Sequence, residues 1–193
     1  MNDTDNLNAP SAVDGISRET VASGFPMASE PLTGSLLRTL AATKPAGAFL
    51  ELGTGTGLST AWILDGMDRA STLLSVDNDE KAQKIARQHL QYDPRVSFHL
   101  GDGAAFLVNL AEQKFDYIFA DTWPGKYNHL DEALALLKLG GLYIIDDMLP
   151  QPNWPPGHEE KVAALIATLE QRADLMTTKL RWASGVLIAT KRS

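Results

Sequence analysis

Beyond a polar opening, the chain switches repeatedly between short apolar runs and segments whose apolar residues recur every three or four positions. Leu36, Leu37 and Leu40 follow the turn residues Pro31 and Gly34 at helical spacing. An apolar strand over 47–52 runs into a glycine-rich turn. A helix over about 58–66 follows, with Trp62 and Ile63 on its inner face. Residues 72–77 read as a buried strand, 79–91 as a charged helix and 95–100 as a third strand. A short helix over about 103–111 leads to a fourth strand at 115–120. The leucine-lined stretch 128–138 predicts a helix stopped by Gly140 and Gly141, with a strand at 141–146. The proline-rich stretch 147–157 is a loop, 158–173 a helix, and 175–191 two strands around Ala183–Ser184–Gly185. Strands alternating with helices predict an α/β fold: a doubly wound, seven-stranded, mostly parallel sheet with a C-terminal antiparallel hairpin. Residues 1–20 are set apart as a flexible polar tail and 21–193 as a single domain.

Composition narrows the function classes. The 193 residues suffice for one domain with a sizeable core. A net charge of −7 argues against nucleic acid as the main partner, since phosphate binding needs a basic surface. The absence of cysteine excludes disulfides, thiolate metal sites and cysteine nucleophiles. The start, MNDTDNLNAPSAVDG, has no apolar core of a secretory signal, and no run approaches the ~18 apolar residues of a membrane span. The expectation is a soluble, cytoplasmic protein.

The segment 48–60, AFLELGTGTGLST, carries the first chemical signal. An apolar run ends in Glu51. Gly53, Gly55 and Gly57 alternate with Thr54 and Thr56, and Ser59 and Thr60 open a helix. A strand turning into a helix through glycines brings a ligand close to backbone N–H groups. In a dinucleotide site the pattern G-x-G-x-x-G would need glycine at position 58, where this chain has Leu58. The turn therefore reads as a Rossmann-like nucleoside site of a different kind, or as a glycine-rich connection without a ligand.

Acids close the strands, at the sheet edge where open α/β folds bind ligands. Asp77 stands where a carboxylate can accept from a ribose diol, with Asn78 beside it; Asp77 also fits a helix cap, a role that suits Asp79 better. Asp102, in Gly101–Asp102–Gly103, faces either an adenine or only its own turn. Asp121 ends FDYIFAD, and Asp146 and Asp147 end GLYIIDD. Adjacent strands would gather these three carboxylates, which repel unless a cation neutralises them. All-oxygen ligands suit Mg²⁺. Helix capping and solvated loop acids are the alternative.

The ordered set FPMASEPLTGSLL, LELGTGTGLST, LLSVDND, FDYIFADTWPGKY and GGLYIIDDML resembles the cation-dependent O-methyltransferases that act on catechols and caffeoyl-coenzyme A, within the S-adenosylmethionine-dependent class I enzymes. The likeness runs from about Phe25 to the end. It implies Gly53 against the methionine part of the cofactor, Ser59 on its carboxylate, Asp77 on its ribose and Asp102 with Gly103 beside its adenine. It also implies a segment with Met27 and Ser29 closing over the cofactor. Its metal positions fall on Asp121, Asp146 and Asp147, where Asp147 replaces an asparagine. Its catalytic lysine position falls on Pro124, and lysine appears instead as Lys126, before the matching Tyr127. Either Lys126 reaches the role from the turn Trp123–Pro124–Gly125, or the metal alone acidifies the substrate, or the chemistry differs. Trp123, Trp154 and His158 would border the acceptor or anchor their loops.

The resulting expectation is methyl transfer from S-adenosylmethionine to a small catechol-like or phenolic hydroxyl, assisted by Mg²⁺, with Asp121 and Lys126 catalytic and a homodimer implied by the resemblance. The alternatives are transfer to nitrogen or to a macromolecule, and a non-catalytic protein that binds the cofactor.

Overall fold

The computed structural model describes residues 2–110 and 112–193. Helix α1 (Val13–Ser23) and helix α2 (Pro31–Ala41) precede the first strand. Strands β1 (Ala48–Leu52), β2 (Thr72–Asp77), β3 (Val96–Leu100), β4 (Phe115–Ala120) and β5 (Leu137–Ile145) then alternate with helices α3 (Leu58–Gly66), α4 (Glu80–Leu90), α5 (Gly103–Asn109) and α6 (Leu130–Ala135). Helix α7 (His158–Glu170) leads into the hairpin β6 (Leu175–Leu180) and β7 (Val186–Lys191). The seven strands lie in the order β3-β2-β1-β4-β5-β7-β6, with only β7 antiparallel to its neighbours. This is the doubly wound Rossmann-like sheet with an antiparallel hairpin that the pattern predicts. β1 and β4 are parallel neighbours although β2 follows β1 in sequence, so the direction in which strands are added to the sheet reverses at that pair, and a crevice opens at their carboxyl ends.

Two apolar clusters cover the two faces of the sheet. One packs Leu50, Leu52, Ile118 and Tyr143 against Leu107, Leu134 and Leu165. The other packs Phe49, Tyr117 and Phe119 against Leu37, Trp62 and Ile63. The central strands β1 and β4 are buried on both faces, and their continuous apolar runs follow from that. Trp62 and Ile63 face inward as expected.

Two expectations are corrected. The boundary drawn at residue 20 cuts through α1, whose Val13, Ile16 and Thr20 are buried against the neighbouring helices. The spacing i, i+3, i+7 carried that signal, outweighed by the polar residues between. The helix expected over 128–138 ends at Ala135, and β5 begins at Leu137, paired with Phe115. Gly140 does not terminate a helix. It sits inside β5 at φ +73°, where the β4–β5 register shifts, so the glycine pair makes a bulge.

Candidate active site

At the reversal between β1 and β4 lies a cleft of about 610 Å³, within the ~300–1,000 Å³ usual for ligand sites. The glycine turn forms one side and the ends of β4 and β5 another. The segment 25–30 and the loop after β5 close over it. A smaller cavity adjoins it, lined by Asp102, Gly103, Pro124 and Asn128 and sharing Gly53, Asp77, Asn78 and Thr122 with the main cleft.

The turn is held from within. Gly53 and Thr54 both donate their N–H to the Val76 carbonyl, at 2.9 and 3.2 Å, and Gly55 donates to the Asp77 carboxylate at 2.6 Å. Gly57 donates to the Thr54 carbonyl at 2.9 Å. These N–H groups serve the fold, so a ligand here is received chiefly by the shape of the turn. Gly53 stands at φ +103°, and a Cβ there would lie 2.8 Å from the Asp121 carbonyl oxygen. The glycine thus lets the turn close against the residue that ends β4.

Glu51 and Gly57 do not face the cleft, contrary to expectation. Glu51 is fully buried beneath the turn. Its carboxylate accepts from the hydroxyls of Ser59, Thr60 and Ser75 at 2.7, 2.6 and 2.6 Å, which ties the start of α3 to β1 and β2. A Cβ on Gly57 would lie 2.7 Å from that of Ala86, so this glycine serves the contact between α3 and α4. Burial pushes the Glu51 carboxyl up to about 7, against the pull of its three hydroxyl donors. The native state then retains a proton that the unfolded chain releases above its ordinary 4.5. Stability from this group is complete below that value and falls as pH rises toward about 7, by about 3 kcal/mol in all. The Glu51→Gln variant stays neutral throughout. Urea unfolding at about pH 4.5 and about pH 8 should show the variant gaining about 3 kcal/mol on the parent protein across that interval. An unchanged difference would mean that Glu51 folds as a carboxylate.

The other expected cofactor residues line the two cavities. Met27, Ser29, Gly53, Thr54, Gly55, Ser59, Asp77, Asn78 and Asp121 border the main cleft, and Asp102 and Gly103 the adjoining one. Ser59 is buried, with its hydroxyl given to Glu51. Asp77 accepts from Gly55 and from the Asp79 N–H at 2.8 Å, while Asp79 caps α4 by accepting from Lys81 and Ala82. Asp102 also caps, accepting from the Ala105 N–H at 2.8 Å. It does so from a position that still borders the cavity.

The three acids do converge on the cleft, together with a lysine. Lys126 is buried. Its ammonium donates to the Asp146 carbonyl at 2.8 Å and lies 3.6 Å from an Asp121 carboxylate oxygen. The other oxygen of Asp121 is 3.4 Å from the Ser29 hydroxyl. Burial raises the Asp121 carboxyl well above the usual range; Lys126 opposes this, and Asp146 and Asp147 reinforce it. Asp146 is likewise pushed up by burial, to about 6, despite the Ser184 hydroxyl donating to it at 2.5 Å. The same oxygen accepts the Asp147 N–H at 2.9 Å, and Asp147 itself sits at φ +59°.

This donor set does not fit the expected Mg²⁺. Asp146 commits one carboxylate oxygen, Oδ1, to both Ser184 and the Asp147 amide, and an ammonium stands beside Asp121. Among the described residues no group of three His, Cys, Asp or Glu side chains is arranged to hold a metal ion.

The outer wall is aromatic. Trp123 and Trp154 flank His158, with ring centroids 6.2 and 4.6 Å from it, and the Tyr127 hydroxyl lies 3.1 Å from His158 Nε2. Burial and the nearby Lys126 hold the His158 imidazole below its usual pKa, hence neutral at pH 7. Its Nδ1 is buried with no hydrogen-bond partner among the described residues. Sequence reading placed His158 at the border of the site. It could not show this orphaned atom, which depends on α7 beginning at that residue.

Comparison with known proteins agrees with this geometry. Residues 50–148, just over half of the chain, match the profile of a family described as a methyltransferase domain. A candidate O-methyltransferase of Mycolicibacterium vanbaalenii is 29% identical over 150 residues, 75% of this chain and 66% of that protein. One from a Mycobacterium species is 32% identical over 120 residues, 60% of this chain and 54% of that protein. The chain thus matches between about half and two thirds of the length of these relatives. A candidate O-methyltransferase from Klebsiella pneumoniae superposes with a TM-score of 0.82 at 25% identity, covering 95% of this chain and 90% of that one. The O-methyltransferase from Bacillus cereus, solved with S-adenosylhomocysteine, superposes with a TM-score of 0.83 at 20% identity, covering 94% and 91%.

Proposed function

The chain belongs to the methyltransferase-domain family, and from that premise we propose that it is an S-adenosylmethionine-dependent O-methyltransferase acting on a small hydroxylated, catechol-like or phenolic acceptor. The observation that carries this reading is the meeting of the glycine turn after β1 with Asp121 and Lys126 after β4, in one cleft where the strand order reverses.

Gly53, Thr54 and Gly55 would border the methionine part, Asp77 and Asn78 the ribose, and Asp102 and Gly103 the adenine in the adjoining cavity. Met27 and Ser29 lie on the segment that would cover it. When bound, S-adenosylmethionine supplies an electrophilic methyl that an acceptor oxygen takes in line, leaving the bonding pair on sulfur. The protein's own task is positioning and charge. Trp123, Trp154 and Tyr127 offer apolar walls to a planar acceptor. His158 lines the same wall. Asp121 is the group placed to receive the acceptor's proton, because its burial raises its affinity for one. Lys126 holds positive charge where the acceptor oxygen becomes anionic.

No helix among the described residues is long and apolar enough to cross a membrane. The reading includes work in the cytoplasm, alone or as a homodimer, without nucleic acid.

Titration calorimetry with S-adenosylmethionine and S-adenosylhomocysteine should show one site for each. Mass spectrometry of a diol and phenol panel should then show a single added methyl on oxygen. Absence of binding by both cofactors would refute the reading. Binding without transfer to any acceptor would favour a cofactor-binding protein instead.

A further inference from the structure

Resting on that reading, we propose that Lys126 is the resident cation of the acid cluster. Its ammonium, lodged between the ends of β4 and β5, supplies the positive charge of the site, and methyl transfer there proceeds without a divalent ion.

The local chain is built to put it there. Trp123–Pro124–Gly125 forms a tight turn in which the Trp123 carbonyl accepts from the N–H of Lys126 and Tyr127, at 3.1 and 2.9 Å. Gly125 donates to the Asn128 carbonyl at 2.8 Å, and its own carbonyl accepts from the buried Tyr143 hydroxyl at 2.6 Å. These bonds anchor the turn to β5, so the lysine stem enters the protein instead of trailing in solvent. The Lys126 side chain keeps only about 4% exposure, a placement a lysine adopts only with partners. Its partners are the Asp146 carbonyl and the Asp121 carboxylate, one from each strand.

The carboxylates are arranged around this cation. Asp121 accepts from no backbone amide in the contacts described, and faces Lys126 and Ser29. Asp146 is turned to Ser184 on the loop before β7 and presents its backbone oxygen, not its carboxylate, to the ammonium. A metal bound by Asp121, Asp146 and Asp147 would have to displace the buried charge of Lys126. An ammonium supplies charge as a fixed donor and needs no such rearrangement.

The test uses the full-length protein stripped with EDTA and desalted. Electron paramagnetic resonance of Mn²⁺ should show the free-ion signal undiminished by added protein, and methyl transfer should be equal in EDTA and in Mg²⁺. Replacing the charge with a neutral stem, Lys126→Met, should lower transfer by about 100-fold or more, the usual scale for losing one preorganised charge. Stoichiometric loss of the Mn²⁺ signal, reversed by Mg²⁺, would overturn the proposal, as would transfer that stops in EDTA. The resonance measurement needs neither a variant nor an identified acceptor, so it decides even where Lys126→Met does not fold. Failure of cofactor binding in calorimetry would instead strike the methyltransferase reading and leave the metal result standing by itself.

Discussion

Replacing Gly53 by alanine should cost about 3–4 kcal/mol of stability and weaken S-adenosylmethionine binding at least tenfold. Two effects add. At φ +103° a Cβ carries backbone strain of about 1–3 kcal/mol. The same Cβ would lie 2.8 Å from the Asp121 carbonyl oxygen and 3.1 Å from its carbon, and backbone cannot yield as a flexible side chain can. Overpacking of this kind costs about 1–3 kcal/mol more. Relief of the clash must move the end of β4, and Asp121 with it. Gly24→Ala separates the two effects. That residue is also left-handed, at φ +70°, but nothing lies within 4 Å of its added Cβ, so its loss should stay near ~1 kcal/mol with cofactor binding intact. Urea midpoints and calorimetry read both. Equal losses in the two variants would contradict the close approach between turn and strand.

Asp121→Ala should abolish methyl transfer, by ~100-fold or more, and destabilise the protein by about 3 kcal/mol. Among the described residues Asp121 carries the carboxylate within ion-pair distance of the buried ammonium, and removing one member of a buried pair typically costs ~3–5 kcal/mol. The separation of 3.6 Å and the remaining bond to the Asp146 carbonyl place the cost at the lower end. The double variant Asp121→Ala with Lys126→Met removes both charges and should be more stable than the sum of the single losses implies, by about 1–3 kcal/mol of coupling. Strict additivity would show that the two side chains do not interact. Because the pair is buried, the coupling should persist at high salt, unlike a surface ion pair.

Much of this architecture is written in the local pattern. Strands buried on both faces give unbroken apolar runs such as YIFA and LYII, and these specify β4 and β5 with little ambiguity. The glycine turn and the acids at the strand ends follow from the same rhythm. The order of the strands brings them to one crevice. What the pattern hides is set by distant packing. Gly140 reads as a helix stop because leucines precede it, yet pairing of Leu137 with Phe115 draws those residues into β5. Helix α1 is amphipathic on a polar background and shows only Val13, Ile16 and Thr20 to the core.

The site divides in the same way. Residues that face the cleft through the backbone they sit on, such as Asp77 and Asp121, are predictable from strand ends. Glu51 and Gly57 share the same motif, but their roles are internal: one ties three hydroxyls beneath the turn, the other admits Ala86 of α4. Spacing alone does not separate a motif residue that meets a ligand from one that shapes the turn. Lys126 shows the opposite case. Two residues beyond the expected position, it returns to the cluster because a proline–glycine turn redirects the chain. Three carboxylates in a row of strand ends suggest a metal. The proposal of a resident ammonium rests instead on the placement of one lysine stem, and no sequence period records it.

The most direct test is a crystal structure with S-adenosylhomocysteine grown in millimolar MgCl₂. The account predicts the sulfur beside Asp121 and Lys126, the adenosyl part running past Asp77 toward Asp102, and the Lys126 ammonium retained against Asp146 with no magnesium among the carboxylates. A product bound away from the glycine turn, or Lys126 swung out with magnesium held by Asp121, Asp146 and Asp147, would contradict it.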